Sequence, residues 1–314
     1  MLGGISVVPV LPFAKNLVAY AAPAALLVGA AAALIAGNPF ASFTKSFSKG
    51  LLQASVVLLG FSMDLKTVLE TGRSGLLYGI ISISAVFGLG FVLQRALKVR
   101  PVTGLLVSTG TAICGGSAIA AVSSVIDAPA EDVSVAIGAV FLLNGLALVV
   151  FPPIGHALSL SSHQFGVWAG IAIHDIASVA GAGVAFGQGP EALDTATAVK
   201  LSRVLYLVPL TLIIAWLHNR STAHKSHDGP RSVAIPWFIG IFLVASTLGS
   251  YVAIIGAHTP EIKRLAACGF ALALYLIGLG LSRSTLKAVG IRPLVMGGIL
   301  WLCISAGTLV FVRL

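Results

Sequence analysis

Apolar residues run along this chain in blocks of about twenty, separated by short polar breaks. A helix needs about 20 mainly apolar residues to cross the hydrocarbon of a bilayer. Ten stretches meet that length: 17–36, 46–63, 74–94, 101–126, 133–155, 164–187, 192–217, 234–256, 264–282 and 290–312. The pattern predicts an all-α membrane protein of about ten transmembrane helices, filling residues 1–314 as one domain. The one sizeable polar linker is HNRSTAHKSHDGPR, 218–231.

Composition agrees with that pattern. Only 9% of the 314 residues are charged and 57% are hydrophobic, and mean hydropathy is +1.02. A soluble domain carries roughly a quarter charged residues. Residues 1–14 lack a basic n-region and a small-residue cleavage site, so they do not read as a removable signal peptide. Net charge is +9, but Lys and Arg are spread over short loops, which argues against a nucleic-acid partner. Cys114, Cys268 and Cys303 form neither a metal spacing nor a disulfide framework. The histidines of the linker read as a cytoplasmic loop, with no metal and no cofactor expected.

Charge placement then orients the spans. One set of loops holds eleven bases, Lys45, Lys49, Arg95, Lys98, Arg100, Arg220, Lys225, Arg231, Arg283, Lys287 and Arg292, against the single acid Asp228. The other set, with the termini, holds six bases and eight acids, among them Asp127, Glu131 and Asp132. Cytoplasmic loops are the Lys/Arg-rich ones, so the expectation is ten spans with both termini outside and the linker in the cytoplasm. Only Asp175, Lys200 and Arg203 remain within spans.

Two internal echoes suggest repetition. LLGFSMDLKTVLETG (58–72) resembles LIGLGLSRSTLKAVG (276–290), in opposite directions through the membrane, as in the inverted repeats of secondary transporters. GTAICGGSAIA (110–120) resembles GIAIHDIASVA (170–180), but ten continuous spans would run these two the same way.

Three segments carry the candidate chemistry. In STGTAICGGSAIAAVSS (108–124), the Gly115–Gly116 pair weakens a helix by roughly 1 kcal/mol per residue relative to Ala. A helix interrupted there would present N–H groups, with Thr111, Cys114 and Ser117 beside them, to an anion. Close helix packing through small residues is the competing explanation. In GIAIHDIASVAGAG (170–183), His174 and Asp175 sit at a depth where an acid is costly. Asp175 shares a helical face with Ser178 at i, i+3. They read either as a coupling pair or as a helix cap with an ordinary packed His. In AVKLSRVLYLVPL (198–210), Lys200 and Arg203 share a face and would line a cavity, unless Lys200 snorkels to the outer interface. Pro209 should kink this helix. Asn144, Gln53 and Gln94 read as helix–helix contacts.

At these residues the chain resembles the YeiH-like sulfate-exporter family of bacterial inner-membrane proteins. The motifs are GTAICGGSAIAA, GIAIHDIASVAGAG, KLSRVLYLVPL, IPWF at 235–238 and LGLSRSTLKAVGIRPL, in the family's order over roughly 40–300. The resemblance implies a secondary transporter related to the cation–proton antiporter and bile-acid symporter group. Its core would be an inverted repeat with interrupted, crossing helices at the substrate site. Two departures are a Ser at 178, where members usually show Gln, and too few residues before Asn16 for their usual extra span.

The functional expectation is a transporter, not an enzyme, moving a small anion such as sulfate, a sulfonate or a carboxylate across the inner membrane by alternating access. Its substrate residues would be Thr111, Cys114, Gly115, Gly116, Ser117, His174, Asp175, Ser178, Lys200 and Arg203. His174 and Asp175 would couple transport to H+ or Na+, and a homodimer stays open. The alternative is a cation–proton antiporter with Asp175 as carrier.

Overall fold

The computed structural model describes residues 21–187, 190–221, 237–280 and 290–313. Most of the polar linker, IPWF up to Pro236, the stretch 281–289 and the first twenty residues lie outside the described residues. All regular structure among the described residues is helical. The helices are α1 (Ala21–Ala36), α2 (Ala41–Phe61), α3 (Leu65–Ala96), α4 (Pro101–Ala112), α5 (Gly116–Val125), α6 (Ala130–Ala157), α7 (Ser162–Ala172) and α8 (Ile176–Phe186). There follow α9 (Pro190–Val204), α10 (Leu207–Ser221), α11 (Trp237–Tyr251), the single turn α12 (Ala253–Gly256), α13 (Thr259–Gly278) and α14 (Ile291–Arg313).

Among the described residues, four stretches are long and apolar enough to cross a membrane: Tyr78–Ala96, Ala130–Ala157, Glu191–His218 and Ile291–Arg313. Four shorter apolar helices, Pro23–Ala36, Gly116–Val125, Ile176–Phe186 and Phe238–Tyr251, accompany them among the described residues. Leu27, Ile35, Ile81, Trp216, Val244 and Leu302 are exposed, as expected for a surface that faces lipid rather than water.

Local sequence explains where the helices start and stop. Pro101 opens α4 at its first position, where a missing N–H costs nothing. Ser161 and Gln164 form a reciprocal capping box at the start of α7. Pro209 has no N–H to offer the carbonyl of Leu205, and the chain between α9 and α10 leaves the helix at 205–206, where the sequence predicts a kink.

The two interrupted segments, 101–126 and 164–187, are not crossing spans. Each is a hairpin that turns back at its break. A continuous helix would carry Val125 about 33 Å from Thr103, and the six residues from 126 to Glu131 reach at most about 21 Å. Yet Thr103 donates to Asp132, and Arg100 pairs with Glu131 at 3.1 Å and Asp132 at 3.2 Å. The start of α4 and the end of α5 are therefore at one end of the molecule. Phe165 opens α7 and Phe186 closes α8; a straight helix would part them by about 32 Å. Their rings stack at 4.0 Å.

The long helix α6 joins the two hairpins base to base. Its first turn holds Asp132, at the base of the α4–α5 hairpin, and its last turn holds His156, stacked on Phe186 at 4.5 Å. At 28 residues it is about 42 Å long. The hairpins thus enter from opposite ends, and their tips meet between. This moves the loop 127–132 to the base-rich end, beside Arg95, Lys98 and Arg100, and the loop 156–163 to the other. Asp127, Glu131 and Asp132 thus lie at the end that carries Arg95, Lys98 and Arg100. The echo of 110–120 in 170–180 now runs in opposite directions.

A second group, α1, α2, α11 and α13, packs together beside this core. Contact is close because glycines remove side chains from the crossing. A Cβ on Gly29 would lie 2.1 Å from the carbonyl oxygen of Tyr275, and one on Gly278 would lie 2.3 Å from that of Leu26. The groups meet where α8 lies against α1 and α13, and where Lys263 of α13 pairs with Asp194 of α9 at 2.7 Å.

Topology is directly measurable. In a chain lacking its native cysteines, a cysteine at Ala128 should be labelled by a membrane-impermeant maleimide from the same side as one at Lys98. A cysteine at Ser159 should be labelled from the opposite side; ten continuous spans require the reverse for both.

Candidate functional site

Both hairpin tips owe their shape to residues that cannot stay helical. In the first, Ile113 leaves helical geometry and Gly115 sits at φ 68°, ψ −127°, a conformation that favours glycine. In the second, Ile173 and Asp175 are extended, with ψ of 136° and 158°. The tips touch: a Cβ on Gly115 would lie 3.6 Å from the Cβ atoms of both His174 and Asp175.

The breaks create four helix ends in the interior. The entering arms α4 and α7 present carbonyls; the returning arms α5 and α8 present N–H groups. Lys200 and Arg203, fully buried at the end of α9, answer the carbonyls. Arg203 spans both hairpins, with Nη1 donating to Ile171 O at 2.8 Å and Nη2 donating to Ala112 O. Lys200 Nζ donates to Ile113 O at 3.3 Å. Lys200 does not reach the outer interface, and Arg203 turns its fork to backbone. Arg203 thus ties the two hairpins together, and Lys200 holds the tip of the first.

The N–H ends are treated differently from each other. Asp175 caps α8: Oδ1 accepts from Ser178 N at 2.9 Å and Oδ2 from Ser178 Oγ at 2.6 Å. The i, i+3 relation read from the sequence is thus a helix cap. At α5 the N-cap residue Gly115 offers no side chain, and Cys114 Sγ answers Ala118 N, which leaves the N–H groups of Gly116 and Ser117. There Ser117 is exposed and Gly116 half-buried, while Cys114 Sγ lies 2.9 Å from Ser117 Oγ. Gly115, Gly116, Ser117 and Cys114 therefore share one place with His174, Asp175 and Ser178. Thr111 is buried one residue before the break.

Two features were missed. Asn144, read as a contact between helices, sits near the middle of α6 and accepts the backbone N–H of His174 at 3.0 Å, which fixes the second tip. The signal was a lone amide in a 28-residue apolar helix. Asp132, placed in an outer loop by charge, is buried at 1% exposure and clamps the base of the first hairpin with Thr103 and Arg100. No group of three or more His, Cys, Asp or Glu that could hold a metal occurs among the described residues.

Replacing Arg203 by Ala leaves the carbonyls of Ala112 and Ile171 without partners in a dry interior. The expected loss is about 3 kcal/mol of stability, typical of breaking a buried charged contact. Thermal unfolding of the detergent-solubilised protein checks this; Arg203→Ala melting with the wild type would remove the bridging role.

The comparisons with known proteins cover nearly the whole chain. The family model described as "Conserved hypothetical protein 698" matches residues 11–297. A UPF0324 membrane protein of Porphyromonas gingivalis is 45% identical over 297 residues, covering 93% of this chain and 87% of the relative. One from Bdellovibrio bacteriovorus is 42% identical over 286 residues, covering 91% and 87%. One from Geobacter sulfurreducens is 41% identical over 290 residues, covering 92% and 90%. No solved structure matches. The relatives' printed names say membrane protein and name no substrate, so the sulfate label stays with the resemblance read from the sequence. The chain belongs to the Conserved hypothetical protein 698 family, the UPF0324 membrane proteins.

Proposed function

We propose that this protein is a secondary transporter that carries a small anion across the bacterial inner membrane by alternating access. One observation carries the reading: a helix N-terminus left open at Gly116 and Ser117 lies against the His174–Asp175 tip, where two hairpins entering from opposite ends meet. Free N–H groups and the partial positive charge of a helix start suit an anion. Non-helical backbone at membrane depth is tolerated where it is buried in protein or lines a cavity.

The opposite entry of the hairpins supports an inverted repeat of the transporter kind, each hairpin base facing its own side of the membrane. Sulfate, a sulfonate or a carboxylate fits the donors. Asp175 and His174, at the meeting of the tips, supply the coupling to protons or sodium. The second reading, a cation–proton antiporter, draws on a different observation: Lys200 and Arg203 face carbonyls, leaving Asp175 as the acid at the meeting of the tips.

Counterflow in proteoliposomes separates the two. Loaded with an unlabelled anion, vesicles should accumulate the radiolabelled form of sulfate, a sulfonate or a carboxylate. Ser117→Ala should slow this several-fold. Asp175→Asn keeps a side chain that caps helices well, so it should fold, exchange anions and lose concentration by a proton or sodium gradient. Gradient-driven sodium–proton exchange without counterflow of any anion would overturn the anion reading in favour of the antiporter.

A further inference from the structure

Around the tips, the described residues include a set of buried polar atoms with no hydrogen-bond partner. They are both ring nitrogens of His174, Asn144 Nδ2, Thr111 Oγ1 and Arg203 Nε. His174, Asn144 and Thr111 are each no more than 3% exposed. Lys200 adds to the set, because its ammonium has three N–H groups and its one hydrogen bond is to Ile113 O. The residues that carry them are neighbours around the two tips. Asn144 holds the backbone of His174 through its oxygen, which leaves its NH2 free. Thr111 precedes Ala112, whose carbonyl Arg203 holds, and Lys200 holds the next carbonyl along.

Their chemistry is one-sided. Asn144 Nδ2, Arg203 Nε and the Lys200 ammonium only donate, and only the Thr111 hydroxyl and one nitrogen of neutral His174 can accept. A buried water brings two donors of its own and needs acceptors for them, which this set barely offers. Charge leans the same way, with two cations near the tips against the single carboxylate of Asp175, whose oxygens already serve Ser178. A ligand that only accepts, and carries negative charge, suits the donors of this set, which are most of it.

We propose that Thr111, Asn144, His174 and Lys200 form an occluded site for one compact anion, a halide or a tetrahedral oxyanion, beside the meeting hairpin tips. The close approach of Gly115 to His174 and Asp175 limits any ligand there to a compact ion. The site deepens the transporter reading and rests on it for the ion's role, as the dehydrated intermediate position between the two entrances. Arg203 aids through its charge and Nε while its Nη atoms stay on the hairpins.

Binding to the purified full chain tests the site without any transport assay. Protein exchanged into sodium gluconate is titrated at constant ionic strength with sodium chloride and, separately, with sodium sulfate, while its unfolding temperature is followed. A saturable rise with one of these anions is expected. Thr111→Val removes a hydroxyl that makes no hydrogen bond, so the fold should tolerate it. Asn144→Asp keeps the acceptor that holds His174 N while exchanging donors for a negative oxygen. Each should move the midpoint of the titration to about tenfold higher anion, the scale of one charge-assisted hydrogen bond. No saturable anion effect in the wild type, or both variants titrating as the wild type does, would overturn the site. Saturable binding without counterflow sinks the transporter reading and leaves the site standing; counterflow without saturable binding does the reverse.

Discussion

A peptide carbonyl that loses its helical partner inside an apolar interior must be given another. This protein meets that demand at the ends of α4 and α7, and one arginine answers both. Arg203 donates to Ala112 and to Ile171, and Lys200 donates to Ile113. An unpaired buried polar group costs several kcal/mol where no water can reach it. Cations at the carbonyl ends also oppose the negative poles of two short helices. Without them, two hairpin turns at membrane depth would be a liability. With them, the breaks are held in fixed register, and the N–H ends of α5 and α8 are left for other work.

The asymmetry between those two N–H ends follows from single residues. Asp175 occupies one with its own carboxylate. At the other, Gly115 has no side chain to offer, and Ser117 turns its hydroxyl toward the carbonyl of Cys114 at 3.3 Å. A symmetric pair of turns would bind two like ligands or none. Here one turn is self-satisfied and the other is not, so a single ligand placed between them meets donors on one side and a carboxylate on the other.

Much of this was legible in the sequence, and what was not has a physical cause. The glycine pair and the His–Asp pair marked the breaks, and Pro209 marked the interruption after Val204. Whether a broken helix continues or turns back was hidden, because both give the same apolar length. The arms of the hairpins are 12, 10, 11 and 11 residues long, and each pair sums to the length of a span. The charges held a clue that was read the other way: Asp127, Glu131 and Asp132 looked like the mark of an outer loop. Orientation is set by bases, while acids contribute little, and Glu131 and Asp132 instead answer Arg100. Asn144 and the role of Arg203 depend on contacts between residues 30 and 91 positions apart, and no local pattern reports those.

The helix α6 also acts as a ruler. Both hairpins hang from it, one from its first turn and one from its last, and Asn144 near its midpoint pins the second tip. The separation of the two bases is therefore a count of residues. One residue more or fewer would change it by about 1.5 Å and rotate one hairpin relative to the other by about 100°. Neighbouring loops can vary in length with little effect on the tips. Between Asp132 and His156 the chain has no such freedom, and insertions there should be far rarer than the apolar composition of that helix alone would suggest.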